Sequence, residues 1–226
     1  MEKELNELIF RITGSQLIAV EEKFKDGEVK VKHIWPTELT TMIGNCTQMV
    51  GIEVELPDNT YWYREEIDGT KRIILKYFNM HPDIEYRGTV YSNTAVPNIL
   101  FGFVIDPNGL IRSKKAICVI GERIDRESPT YQYPFSNVHA NSQEICMGSN
   151  KFNKIDNISK LTSAPHFIMQ LPNNDDIFKL ENNTKELNYR DLLVMHSGKE
   201  KYDDSLLVPI GKKVKDYIEL IKNYKY

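Results

Sequence analysis

Two apolar runs separated by four residues constrain this chain more than any other feature. They are Asn98–Ile105 (NILFGFVI) and Leu110–Ile120 (LIRSKKAICVI), joined by Asp106-Pro107-Asn108-Gly109. The joint has turn chemistry, because Pro presets its own backbone angle and Asn-Gly supplies positive φ. A strand with one wet face alternates apolar and polar residues, whereas the apolar runs in NILFGFVI and AICVI predict a buried hairpin. The pair is therefore expected at the centre of a sheet.

The rest of the chain fits around that hairpin. Leu8–Thr13 and Gln16–Lys23 are short strand-like runs with Gly14-Ser15 between them. A turn at Asp26-Gly27 leads into Val29–Ile34, where Val29, Val31 and His33 alternate with Lys30 and Lys32. Trp35-Pro36 ends that strand, and Pro36-Thr37-Glu38 opens a short helix through about Ile43. Thr60–Glu66 and Thr70–Phe78 flank Asp68-Gly69, a hairpin signal, and Asn79–Val96 reads as irregular. Beyond residue 150, Ile155, Ile158 and Leu161 have helical spacing within Asn153–Thr162. Pro165–Leu171 is short and apolar, and Asn173–Thr184 is polar and reads as surface loop. Arg190–Met195 and Val214–Asn223 read as helices, the latter with Val214, Ile218 and Ile221 on one face. Strands first and helices later predict an α+β fold. The expected division is a mainly β extension over residues 1–90 and a second domain over 91–226.

With 226 residues, of which 41% are hydrophobic and 27% charged, the chain has the composition of a globular protein. A net charge of −3 and a pI near 6.0 offer no broad electrostatic grip on nucleic acid. Lys212, Lys213, Lys215, Lys222 and Lys225 crowd the C-terminal part and read as a solvated helix face. No apolar run approaches the ~20 residues that cross a bilayer, and MEKELNELIF lacks the layout of a signal peptide. Cys46, Cys118 and Cys146 cannot all pair within the chain, and their spacings fit no zinc pattern. Reduced thiols in a cytoplasm are the simplest account, with no metal or cofactor implied.

Chemistry concentrates in Tyr131–Asn150, YQYPFSNVHANSQEICMGSN. Tyr133-Pro134-Phe135 sets two aromatics about a rigid residue. Asn137 through Gln143 is small and polar, hence loop-like. Cys146 follows, between Ile145 and Met147 and before Gly148, where the backbone is free to turn. Cys118 sits inside the apolar AICVI and reads as core, and Cys46 follows Gly44-Asn45 at a helix end. A cysteine nucleophile needs thiolate character and access, and a donor for a tetrahedral oxyanion, for which Asn137 is the candidate. In an extended segment, His139 points the same way as Asn137. It is a candidate base or thiolate partner, set against a packing or surface role. His81 and His166 read as turn residues beside prolines, and His33 and His196 give no metal spacing with them.

This segment resembles the active site of ubiquitin-conjugating enzymes. There a Tyr-Pro motif closes a sheet hairpin, and a His-Pro-Asn tripeptide precedes an N-G-x-I-C-L run that holds the catalytic cysteine. The wording YPFSNV…ICMGSN, behind FGFVIDPNG, is similar to a bacterial branch, the prokaryotic ubiquitin-conjugating-enzyme-like family D that includes the PRTRC system protein B. The likeness spans roughly Asn98 to Met195, with the later PNNDD and LNYRDLL stretches, and is loose over the first ~90 residues. It implies a ubiquitin-conjugating-like core with an antiparallel meander and flanking helices. It also implies that Cys146 carries a ubiquitin-like C-terminus as a thioester. Asn137 would brace the loop or stabilise the oxyanion, with Tyr133 and Pro134 shaping the platform beneath. The implied partners are a ThiF-type activating enzyme, a ubiquitin-like protein and a JAB-type metallopeptidase, in a system serving antiviral defence or plasmid maintenance. Phe135-Ser136 stands where the family has His-Pro, and one extra residue separates Asn137 from Cys146. Two alternatives therefore stay open: a binding or scaffold subunit that has lost catalysis, and, more weakly, a cysteine hydrolase pairing Cys146 with His139.

Overall fold

The computed structural model of the protein describes residues 4–12, 16–46 and 54–226, which fall into two compact units divided between residues 53 and 54. In the first, β1 (Leu5–Ile12), β2 (Ile18–Phe24) and β3 (Val29–Ile34) form an antiparallel meander, followed by α1 (Pro36–Cys46). Ile18, Val20 and Ile34 make its small core, with Phe10 and Leu39 packed against it. The Glu38 carboxylate accepts the Trp35 backbone N–H at 2.7 Å and so holds the start of α1. The expected turn at Gly14-Ser15 lies outside the described residues, as does the side chain of Cys46.

The second unit is built on β4 (Thr60–Glu65), β5 (Lys71–Tyr77), β8 (Asn98–Ile105), β9 (Ile111–Val119), β10 (Pro129–Tyr131) and β11 (Pro209–Lys213). The six pair antiparallel in the order β11-β10-β9-β8-β5-β4. The apolar hairpin is β8–β9, at the centre as its sequence predicts. Asp106 fixes the turn: its carboxylate accepts the Leu110 N–H at 2.9 Å and pairs with Arg112. Positive φ falls on Gly109 alone in that turn.

Most positions of the central strands are buried because both faces of the sheet are covered. Ile73, Leu75, Ile99, Phe101, Phe103, Ala116 and Cys118 face the larger core. It includes residues from the segments after β10, among them α2 (Ala164–Met169) and α3 (Tyr189–His196). Their neighbours Ile74, Leu100, Val104, Ile117 and Val119 face α4 (Val214–Lys222), which buries Val214, Tyr217, Ile218 and Ile221 against them. At Gly102 the helix comes so close that a Cβ would lie 2.6 Å from Ile221 Cδ1. The space admits the Tyr217 hydroxyl, which donates to the Lys115 carbonyl at 2.8 Å. Arg72 donates to the Ile221 and Tyr224 carbonyls at 2.6 and 3.1 Å, a cation at the negative end of α4.

The α+β class is as expected, with mostly antiparallel strands. Other expectations shift. β5 pairs with β8 from Lys71 opposite Ile105 to Tyr77 opposite Ile99, so the hairpin placed in an N-terminal extension belongs to the main sheet. The division falls after residue 53, not at 90. Within the stretch read as irregular, β6 (Ile84–Tyr86) and β7 (Thr89–Tyr91) form a hairpin turned by Arg87 and Gly88, both at positive φ. Asn153–Thr162 is not an α-helix. Only Ile158–Ser163 coils, as a 3-10 turn running into α2, which carries Pro165 in its first turn.

Candidate functional site

Cys146 sits at the open end of a miniature two-stranded ribbon. Val138 and Ile145 lie opposite each other. The His139 N–H donates to the Glu144 carbonyl at 3.0 Å, and the Cys146 N–H to the Asn137 carbonyl at 2.8 Å. Asn137 and Cys146, nine positions apart in sequence, are thus cross-strand partners. The tip is closed by Gln143 N–H on the His139 carbonyl, with Gln143 at positive φ, and Asn137 is also left-handed. Asn tolerates that conformation at 137, where a β-branched residue would not. Val138 and Ile145 are buried in the larger core. By the period-two alternation of extended chain, His139, Glu144 and Cys146 share the opposite face. His139 and Cys146 are exposed there.

Two anchors hold the ribbon. Residues 143–145 add to the edge of β9: the Ala116 N–H reaches the Gln143 carbonyl and the Ile145 N–H the Lys114 carbonyl, each at 2.9 Å. The Glu144 carboxylate lies against the same edge, accepting from Lys115 Nζ at 2.9 Å, Ser113 Oγ at 3.2 Å and the Lys114 N–H at 3.3 Å. On the other strand, Asn137 Nδ2 donates to the Pro172 carbonyl at 3.1 Å and to Asn173 Oδ1 at 3.2 Å. Asn173, itself buried, donates onward to the Glu85 and Leu171 carbonyls. The Ser136 hydroxyl donates to the Asn174 carbonyl.

These partners assign work to the sequence candidates. The Asn137 amide braces the ribbon, with both N–H groups engaged by carbonyl oxygens, so an oxyanion could recruit it only by displacing one of them. His139 is brought to the thiol's face of the ribbon. Its ring makes no hydrogen bond to Cys146 among the described residues. Phe135 is 1% exposed and packs edge-on to Tyr133, Tyr189 and Tyr202. All three residues of Tyr133-Pro134-Phe135 are buried, so the segment is core. Cys118 is fully buried on β9, and burial pushes its thiol well up, as befits an inert core cysteine. Glu144, the acid nearest to Cys146 in sequence, is occupied by three donors.

Sequence reading missed Asn173 and Lys115. Asn173 lies 36 residues from Asn137, and although it falls in the PNNDD stretch, nothing local marks it as a partner of Asn137. Lys115 could have been noticed as a cation inside an apolar strand, where it is nearly buried. Past Asn173, an open cleft of about 960 Å³ is lined by Tyr86, Phe178, Tyr189 and the Arg87–Asp175 ion pair. Among the described residues no cluster of His, Cys, Asp or Glu could hold a metal ion, and no helix is long and apolar enough to cross a membrane. No protein-family model, no curated protein and no solved structure matches the chain.

Proposed function

We propose that this chain is a ubiquitin-conjugating-like protein of a bacterial modification system, and that residues 54–226 carry a variant of the conjugating-enzyme core. The observation that carries the reading is Cys146, exposed at the end of a braced ribbon and paired across it with Asn137. A thiol so placed is open to a bulky macromolecular thioester, while its backbone stays fixed. In the reaction, the Cys146 thiolate attacks the thioester carbonyl linking a ubiquitin-like C-terminus to the cysteine of a ThiF-type activating enzyme. A C–S bond forms to Cys146, the bond to the activating enzyme breaks, and its thiolate leaves. An acceptor nucleophile then takes the acyl group and Cys146 leaves as thiolate. A JAB-type metallopeptidase would reverse the product. The setting is a cytoplasm, in antiviral defence or plasmid maintenance.

The test is to incubate the protein with a cognate ThiF-type activating enzyme and ubiquitin-like protein, with ATP. A thiol-reducible adduct absent in Cys146→Ser is the expected result, and no adduct with those partners refutes the reading. One observation favours a second reading, a scaffold subunit that has lost catalysis. The Asn137 amide donates both of its N–H groups inside the protein, and the positions of the family's His-Pro are spent on packing and on the Asn174 carbonyl. Full biological activity in Cys146→Ala would select the scaffold.

A further inference from the structure

We infer that Lys115 is a positioning residue for Cys146, setting the charge on the thiol's face as well as the place of its strand. The inference rests on the proposed thioester role, but its test needs no partner protein. Lys115 lies on β9 with its side chain 7% exposed. A lysine is rarely taken out of water unless it is paired. Here the ammonium has two partners, both on the ribbon: the Ser142 carbonyl at 2.8 Å and the Glu144 carboxylate at 2.9 Å. The backbone beside it is bridged as well, Lys115 lying opposite Glu144. The cation therefore closes the strand that ends at Cys146 onto the sheet.

Its second effect follows from strand geometry. Glu144 and Cys146 are two residues apart in extended chain and share one face, their backbone positions about 7 Å apart. An uncompensated carboxylate about that far from the sulfur opposes formation of the reacting thiolate. With the dielectric of a wet surface, the effect is about threefold in thiolate population. The Lys115 ammonium neutralises that carboxylate at close range.

The experiment measures iodoacetamide alkylation of Cys146 in the full chain at neutral pH and low salt, quantified on the Cys146 peptide. Lys115→Met should slow it about threefold. The deficit should close in about 1 M salt, where the Debye length falls to about 3 Å. It should also close in the double variant Lys115→Met/Glu144→Gln at low salt. A merely structural clamp would give a change that persists in salt and in the double variant, and that result overturns the inference, as does an unchanged rate in Lys115→Met. Should Lys115→Met fail to fold, Glu144→Gln alone decides. It leaves the ammonium uncompensated and should speed alkylation about threefold, and an unchanged or slower rate overturns the inference. Absence of a thioester adduct would refute the proposed function without touching these rates.

Discussion

Gly102→Ala is expected to be among the most damaging single-methyl changes in the protein. Gly102 pairs with Lys115 and Ile74 in the middle of the sheet, and its φ is one that alanine adopts freely, so backbone strain plays no part. The cost comes from α4. A Cβ at 102 would sit 2.6 Å from Ile221 Cδ1, 2.8 Å from Ile221 Cγ1 and 2.8 Å from the Tyr217 hydroxyl. Ile221 is fully buried, and Arg72 holds its carbonyl, so the helix cannot simply slide away. Overpacking of this kind costs about 1–3 kcal/mol. Displacing the phenol from the Lys115 carbonyl leaves a buried hydroxyl unpaired, for a further cost of about 1–3 kcal/mol. A total near 3 kcal/mol corresponds to a fall of about 10 °C in Tm for a unit of this size. Urea unfolding of Gly102→Ala, Ile221→Val and the double variant gives the decisive comparison. Ile221→Val alone costs about 1 kcal/mol but removes the nearest clashing atom, so the double variant should be more stable than the sum of the singles by about 1 kcal/mol. Strict additivity, or a Gly102→Ala cost below about 0.5 kcal/mol, would refute the reasoning.

Two further outcomes test the core around the site. His196 is buried and stacked on Tyr202, its Nδ1 donating to the Leu192 carbonyl while Nε2 accepts the Asp203 N–H. Burial pushes its pKa below 6.5. The unfolded chain thus takes up the proton first, and this contribution to stability is full above about pH 6.5 and is lost as pH falls through the folded value. The urea midpoint should therefore drop between about pH 7 and 5, and the drop should shrink in His196→Gln; an equal slope in both proteins would count against it. Cys118 should resist maleimide in the native protein while Cys146 reacts, and both should react in denaturant, followed by peptide mass spectrometry.

The parts of the fold legible in the sequence are those whose pattern is set by burial. β8, and β9 from Ala116 to Val119, show as apolar runs because α4 covers one face and the larger core the other. α4 shows through Val214, Ile218 and Ile221 because only one side of it is covered. β10 and β11 leave no such trace. β10 has three residues and β11 contains Pro209 and Gly211, so partners distant in sequence make them strands. The same holds at the site. The polar stretch before Cys146 and Gly148 after it mark a loop, but local pattern alone does not separate an exposed thiol from a buried one at a strand end. The engagement of Asn137 is not legible either, because its partners Pro172 and Asn173 arrive from a separate segment. Phe135 shows the same limit, because the rings of Tyr189 and Tyr202 that enclose it arrive from distant segments.

The short strand that ends at Cys146 has a consequence for how the chain avoids sticking to its own copies. Once the β8–β9 hairpin has formed, β9 presents a row of unpaired N–H and C=O groups on an apolar strand, a template for aggregation. β10 meets it only at Cys118, and residues 143–145 occupy it at 114–116. The bonds that fix the thiol also seal that edge. Variants that loosen the ribbon are therefore expected to lose solubility as well as chemistry, and the two losses should track each other.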